Sequence, residues 1–111
     1  MTLQIEDRGD GRAVVEVRGQ LVVSNRQALR DAVTRAIESG ARRLVFDFSH
    51  ADYIDLSGLG LLVSLARALE PKNGEIRIAG LNDDLRGLFE LTRLDTVFTI
   101  ADDREAALEN F

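Results

Sequence analysis

The chain has 111 residues, of which 45% are hydrophobic and 30% charged, with a formal net charge of -5. That is apolar material for one core, and an acidic balance argues against a domain that grips nucleic acid through a basic face. There is no cysteine and His50 is the one histidine, so disulfides, thiolate chemistry and a histidine-built metal site are excluded, and no cofactor is expected.

Thr2 to Glu6 alternates, with Leu3 and Ile5 on one side, and Ala13 to Arg18 places Ala13, Val15 and Val17 on one face. The turn-rich run Asp7-Arg8-Gly9-Asp10-Gly11 between them predicts a β-hairpin. Ser24 is suited to cap a helix over about Asn25 to Ser39, whose apolar positions are Leu29, Val33, Ala36 and Ile37 and whose stop is Gly40. Leu44-Val45-Phe46-Asp47-Phe48 is short and nearly all apolar, as a central strand covered on both faces should be.

A loop from Ser49 to Leu56 then leads into a second helix beginning at Ser57. This helix is apolar around most of its circumference, with only Gly60, Ser64 and Arg67 forming a small and polar stripe, so it should be largely buried. Pro71 to Gly74 ends it, and Glu75 to Ala79 alternates as a further strand. Asn82-Asp83-Asp84 opens a third helix with acidic residues at the positive end of its dipole. Leu85, Leu88 and Phe89 form its buried face, and Val97 to Ile100 is a last short strand. Asp102 with Glu105 resembles a capping box for a final helix to about Asn110. The order β-β-α-β-α-β-α-β-α predicts one α/β domain over residues 1–111, with a mixed sheet of about five strands and about four helices.

No basic-then-apolar leader opens the sequence, and the longest apolar stretch, Leu56 to Leu69, is shorter than the roughly 20 residues that span a bilayer. The absence of cysteine fits a reducing compartment. A cytoplasmic protein with no membrane insertion is expected.

The informative passage is His50 to Gly60, between the most buried strand and the most buried helix. Sites in open α/β sheets form at the carboxyl ends of strands, where loops meet helix starts. Ser57 reads simply as a helix cap on local grounds, Asp55 as a turn residue, and Gly58 and Gly60 as close-packing positions. Yet two glycines in a first helical turn cost about 1 kcal/mol each relative to alanine. Something must offset that, such as room beside the Ser57 hydroxyl for a partner or a phosphate.

Asp55-Leu56-Ser57-Gly58-Leu59-Gly60, following Val45-Phe46-Asp47-Phe48 and joined by Gly19-Gln20-Leu21, resembles the signature of the STAS domain family, in particular bacterial anti-sigma factor antagonists. The resemblance spans nearly the whole chain and implies a partner switch rather than an enzyme. In that switch the unphosphorylated form binds an anti-sigma factor that is also a serine kinase, and so frees a sigma factor. Phosphorylation of the serine that maps onto Ser57 turns binding off, and a serine phosphatase resets the system. The partner-binding positions this implies are Val22, Ser24, Asn25, Asp55, Leu56, Ser57, Gly58, Leu59 and Gly60.

Two positions depart from the family pattern. Val22 stands where many antagonists have aspartate, and Leu56 where serine or threonine usually precedes the modified serine. Val22, Val23 and Leu56 could present an apolar contact face; the preferred reading is that Val22 and Val23 end the strand in the core. The main rival function is a constitutively bound scaffold subunit of a stress-sensing or lipid-transport assembly. Catalysis by His50, Asp47, Asp52 and Asp55 lacks a nucleophile with its base and orienting group. Nucleotide binding lacks both a Walker lysine and a complete glycine motif.

Overall fold

A computed structural model describes residues 1–111. The elements are β1 (Thr2–Asp7), β2 (Arg12–Leu21), α1 (Arg26–Glu38), β3 (Arg43–Ile54), α2 (Leu56–Leu69), β4 (Glu75–Ala79), α3 (Asp83–Leu91), β5 (Thr99–Ala101) and α4 (Arg104–Leu108), with single 3-10 turns after α2 and before β5. They form a five-stranded mixed sheet in the order β1-β2-β3-β4-β5. The hairpin β1–β2 is antiparallel, and β2–β3, β3–β4 and β4–β5 are parallel. Each parallel step needs a crossover, which α1, α2 and α3 supply.

Strand periodicity decides which side chains go to which face. Ala13, Val15 and Val17 of β2, Leu44, Phe46 and Phe48 of β3, and Ile76 and Ile78 of β4 join Leu29 and Val33 of α1, Leu61, Leu62 and Leu65 of α2 and Leu85 and Phe89 of α3 in one core. The alternate residues Val14, Val45 and Ala79 meet Ala107 of α4 in a second, small cluster. The sheet is therefore covered thickly by three helices on one face and thinly by α4 on the other.

Helix ends depart from the sequence reading in consistent ways. Ser24 does not cap α1: the N-cap is Asn25, and its side chain is turned back to the strand end, accepting from Val22 N at 2.9 Å and donating to the Gln20 carbonyl at 2.9 Å. Helix α2 starts at Leu56, and its cap is Asp55 rather than Ser57. Helix α4 is capped by Asp103, one residue after the expected Asp102, and ends at Leu108. At α2 and α4 the residue whose oxygen falls at the right place relative to the free N–H groups wins over an equally suitable neighbour, whereas the Asn25 side chain closes the turn into α1 and caps no helical N–H.

Strand β3 is much longer than expected and absorbs most of the predicted Ser49–Leu56 loop. Its second half pairs with the end of β2 through two register shifts, between Glu16 and Arg18 and between Gly19 and Gln20. Gly19 has a φ of +85°, a conformation that favours glycine, and it lets β2 follow the shifted ladder. The last strand begins at Thr99 rather than Val97.

Candidate functional site

The parallel strands β2 and β3 end side by side at Leu21 and Ile54, so the chain leaving each strand meets the other. Asp55 N donates to the Leu21 carbonyl at 3.1 Å, which fixes Asp55 at the strand end. Its carboxylate is the hub of the site. Oδ1 accepts from Gly58 N at 2.9 Å and from Ser57 Oγ at 2.6 Å. Oδ2 accepts from Val23 N at 3.1 Å, which ties the β2–α1 connection to the start of α2.

These contacts act on the acid itself. Hydrogen bonds from the Ser57 hydroxyl first and the Gly58 amide next hold the Asp55 carboxyl below the usual carboxylate range. Asp55 is therefore a helix cap, a loop clamp and the acceptor for the Ser57 hydroxyl at once. The sequence reading of a turn residue missed this, because the Val23 partner lies 32 positions away.

The two glycines of the motif have different explanations. A Cβ on Gly58 would lie 2.8 Å from Ile54 Cγ2 and 2.9 Å from the Leu21 carbonyl oxygen, so internal packing requires glycine there. A Cβ on Gly60 would meet nothing within 4 Å. The expected helix–strand packing role is thus met by Gly58 and not by Gly60, whose missing side chain leaves open surface one helical turn beyond Ser57.

Ser57 is half-buried, and the segments on either side of Asp55 expose three large hydrophobic residues. Leu56 is 73% exposed, Val23 66% and Tyr53 51%. Val23 does not end β2 in the core, since the strand stops at Leu21 and the chain turns outward. Val22 is half-buried, and its carbonyl accepts from Asn25 N at 3.0 Å and Arg26 N at 2.9 Å, closing the turn into α1. Ser24 is exposed beside them, whereas Leu59 is buried and anchors the first turn of α2 in the core. The named positions therefore divide into a surface group (Val22, Val23, Ser24, Asn25, Leu56, Ser57, Gly60) and an anchoring group (Asp55, Gly58, Leu59).

The acidic residues near His50 do not converge. Asp47 is only 5% exposed and belongs to a different network on the α4 face. Its Oδ1 accepts from Ser49 N at 2.9 Å and Ser49 Oγ at 2.5 Å, and its Oδ2 accepts from Arg104 Nε at 2.9 Å. Arg104 also donates to Glu16 at 2.6 Å, so the first residue of α4 is stapled to the middle of β2 and β3. A charged residue in the otherwise apolar run of β3 was the available signal; its partner, 57 positions on, was not.

A five-stranded sheet with crossover helices on one face and a half-buried serine just beyond the ends of β2 and β3 defines a small α/β domain whose candidate site lies at the carboxyl ends of its parallel strands. The STAS domain model matches residues 4–107, and the chain belongs to this family. The anti-sigma-B factor antagonist of Staphylococcus aureus is 31% identical over 91 residues, covering 82% of this chain and 84% of its own. The crystal structure of an anti-sigma factor antagonist from Mycobacterium paratuberculosis superposes with a TM-score of 0.86 at 27% identity, over 97% of this chain and 91% of that one. The phosphorylated form of SpoIIAA, a Bacillus cell fate determinant, shares the fold with a TM-score of 0.74 at 24% identity, over 95% and 96% of the two chains. No helix is long and apolar enough to cross a membrane.

Proposed function

We propose that this protein is an anti-sigma factor antagonist that works as a partner switch. Its unphosphorylated form binds an anti-sigma factor with serine kinase activity and so frees a sigma factor. Phosphorylation of Ser57 ends that binding, and a serine phosphatase restores it. The observation that carries the reading is the half-buried Ser57 at the start of a helix whose next residues are buried, on connections that expose Val23 and Leu56. The names of the relatives support the antagonist role, and the phosphorylated form of SpoIIAA supports modification within this fold.

The physics of such a switch is simple. A phosphate adds about -1.5 to -2 charges and three acceptor oxygens. A partner packed on Val23 and Leu56 would have to desolvate that charge. A hundredfold loss of affinity requires only about 2.8 kcal/mol. The fold tolerates the same group, because the modified atom is at the surface and Leu59, Leu61 and Leu62 keep the helix anchored.

The exposed Leu56 and Val23 also suit a surface that stays covered, which is the observation favouring a constitutive scaffold subunit. The two readings separate on the affinity of the cognate anti-sigma factor for three forms of the protein. The switch predicts tight binding by wild type and Ser57→Ala and weak binding by Ser57→Glu. Equal affinity for all three would remove the switch and leave the scaffold.

A further inference from the structure

Resting on the reading of Ser57 as the modified residue, we infer that Asp55 makes the Ser57 side chain a two-position element, holding the hydroxyl inward and turning the phosphate outward. The unmodified hydroxyl donates to Asp55 Oδ1 at 2.6 Å, a short contact that only the shared proton makes favourable. Phosphoryl transfer from a nucleoside triphosphate forms the Oγ–P bond, breaks the bond to the nucleoside diphosphate leaving group and passes the hydroxyl proton to a base of the kinase and so to solvent. The two oxygens are then both acceptors, and the new group brings negative charge against the carboxylate.

One of the two side chains has to move, and their attachments decide which. Asp55 keeps Gly58 N on Oδ1 and Val23 N on Oδ2, and its own N–H stays bonded to the Leu21 carbonyl. Ser57 loses its single side-chain hydrogen bond. Turning Ser57 to another staggered rotamer therefore breaks nothing further, whereas turning Asp55 uncaps α2 and unclamps the β2–α1 connection. Space for the turned phosphate exists one helical turn on, over Gly60, where an added Cβ would meet no atom within 4 Å. This accounts for a glycine that the packing of the chain itself does not need. Asp55 is a positioning residue in this scheme: it does not mark the partner's surface but delivers the phosphate to it.

The test compares the protein with serine and with genetically encoded phosphoserine at position 57, each with Asp55 and with Asp55→Asn, by NMR without any partner. With Asp55 in place, the Hα–Hβ couplings of residue 57 should report different χ1 wells for serine and phosphoserine. The Val23 and Gly58 amides should meanwhile keep their hydrogen-exchange protection within about threefold. With Asp55→Asn, the neutral side chain can donate to the phosphate, and serine and phosphoserine should share one well. An unchanged χ1 on phosphorylation with Asp55 present would overturn the inference. So would a loss of Val23 protection of about tenfold or more, since it would show that the carboxylate moves instead. A χ1 change that the asparagine variant fails to abolish would overturn it as well. Partner affinity does not enter these readouts, so a switch that fails in binding assays and a side chain that fails to turn are separate results.

Discussion

Asp47 within β3 and Asp55 just past its end show two uses of the same functional group. Both use both carboxylate oxygens, and both are held below the ordinary carboxylate range. Asp47 sits within the strand, nearly out of solvent, and faces a guanidinium that also binds Glu16. Asp55 sits just past the strand, half-buried, and faces only a hydroxyl and two amides. The first charge is neutralised by a fixed cation and holds α4 on the sheet. The second has no cation opposite it, and one of its three donors is an atom that can be esterified. Charge matched by a permanent partner makes structure; charge matched by a removable proton makes a site sensitive to modification.

Removing the buried acid should have the largest effect. Asp47→Ala leaves Arg104 without its most buried partner and Ser49 without its acceptor, and is expected to cost about 3 kcal/mol of stability, measured by urea unfolding. Next comes Gly58→Ala, whose methyl must displace Ile54 or the Leu21 carbonyl, at about 1–3 kcal/mol. Asp55→Ala should destabilise less than Asp47→Ala while raising hydrogen exchange at Val23 and Gly58, a local signature that Asp47→Ala should not give. If the two aspartate variants proved interchangeable in stability and exchange, the contrast between them would be wrong.

Acid should weaken the contacts of both aspartates. Burial pushes the Asp47 carboxyl up, but hydrogen bonds from Ser49 and Arg104 outweigh it, so its net shift is downward. A native carboxyl titrating below its unfolded counterpart means that the unfolded chain takes up protons first. The stabilisation is then present above about pH 4 and is lost as pH falls through the native value. Asp47→Asn should flatten that acid limb of the stability curve. The smallest effect is expected from Gly60→Ala. It should raise stability by up to about 1 kcal/mol, because helix propensity improves and nothing is displaced.

Much of this contrast was legible in the amino-acid sequence, and the missing part has a common cause. Alternation in Ala13–Val17 and Glu75–Ala79, helical spacing in Leu29–Ile37 and the acidic start at Asn82–Asp84 are local patterns, and the elements formed where those patterns lie. Gly58 and Gly60 are neighbours in one motif and read alike, yet only contacts with Ile54 and Leu21 distinguish them. Asp55 reads as a turn residue until Val23 is brought beside it. The continuation of β3 beyond Phe48 was hidden because Ser49, His50 and Asp52 are polar and exposed; the strand is carried on by pairing of His50, Ala51, Tyr53 and Ile54 to β2, with Ser49 and Asp52 left at the register shifts. Cap positions moved by one or two residues at α1, α2 and α4, where several aspartates, asparagines or serines lie close together and only the final backbone path chooses among them; at α3 the expected Asn82 is the cap.

The central claim is that a phosphate on Ser57 controls partner binding. The direct measurement is the affinity of the purified cognate anti-sigma factor for wild-type protein and for the same protein carrying phosphoserine at position 57, by calorimetry at one salt concentration. A loss of about a hundredfold or more is expected on phosphorylation, with Ser57→Ala binding as wild type does. Equal affinity for the phosphorylated and unphosphorylated forms would contradict it.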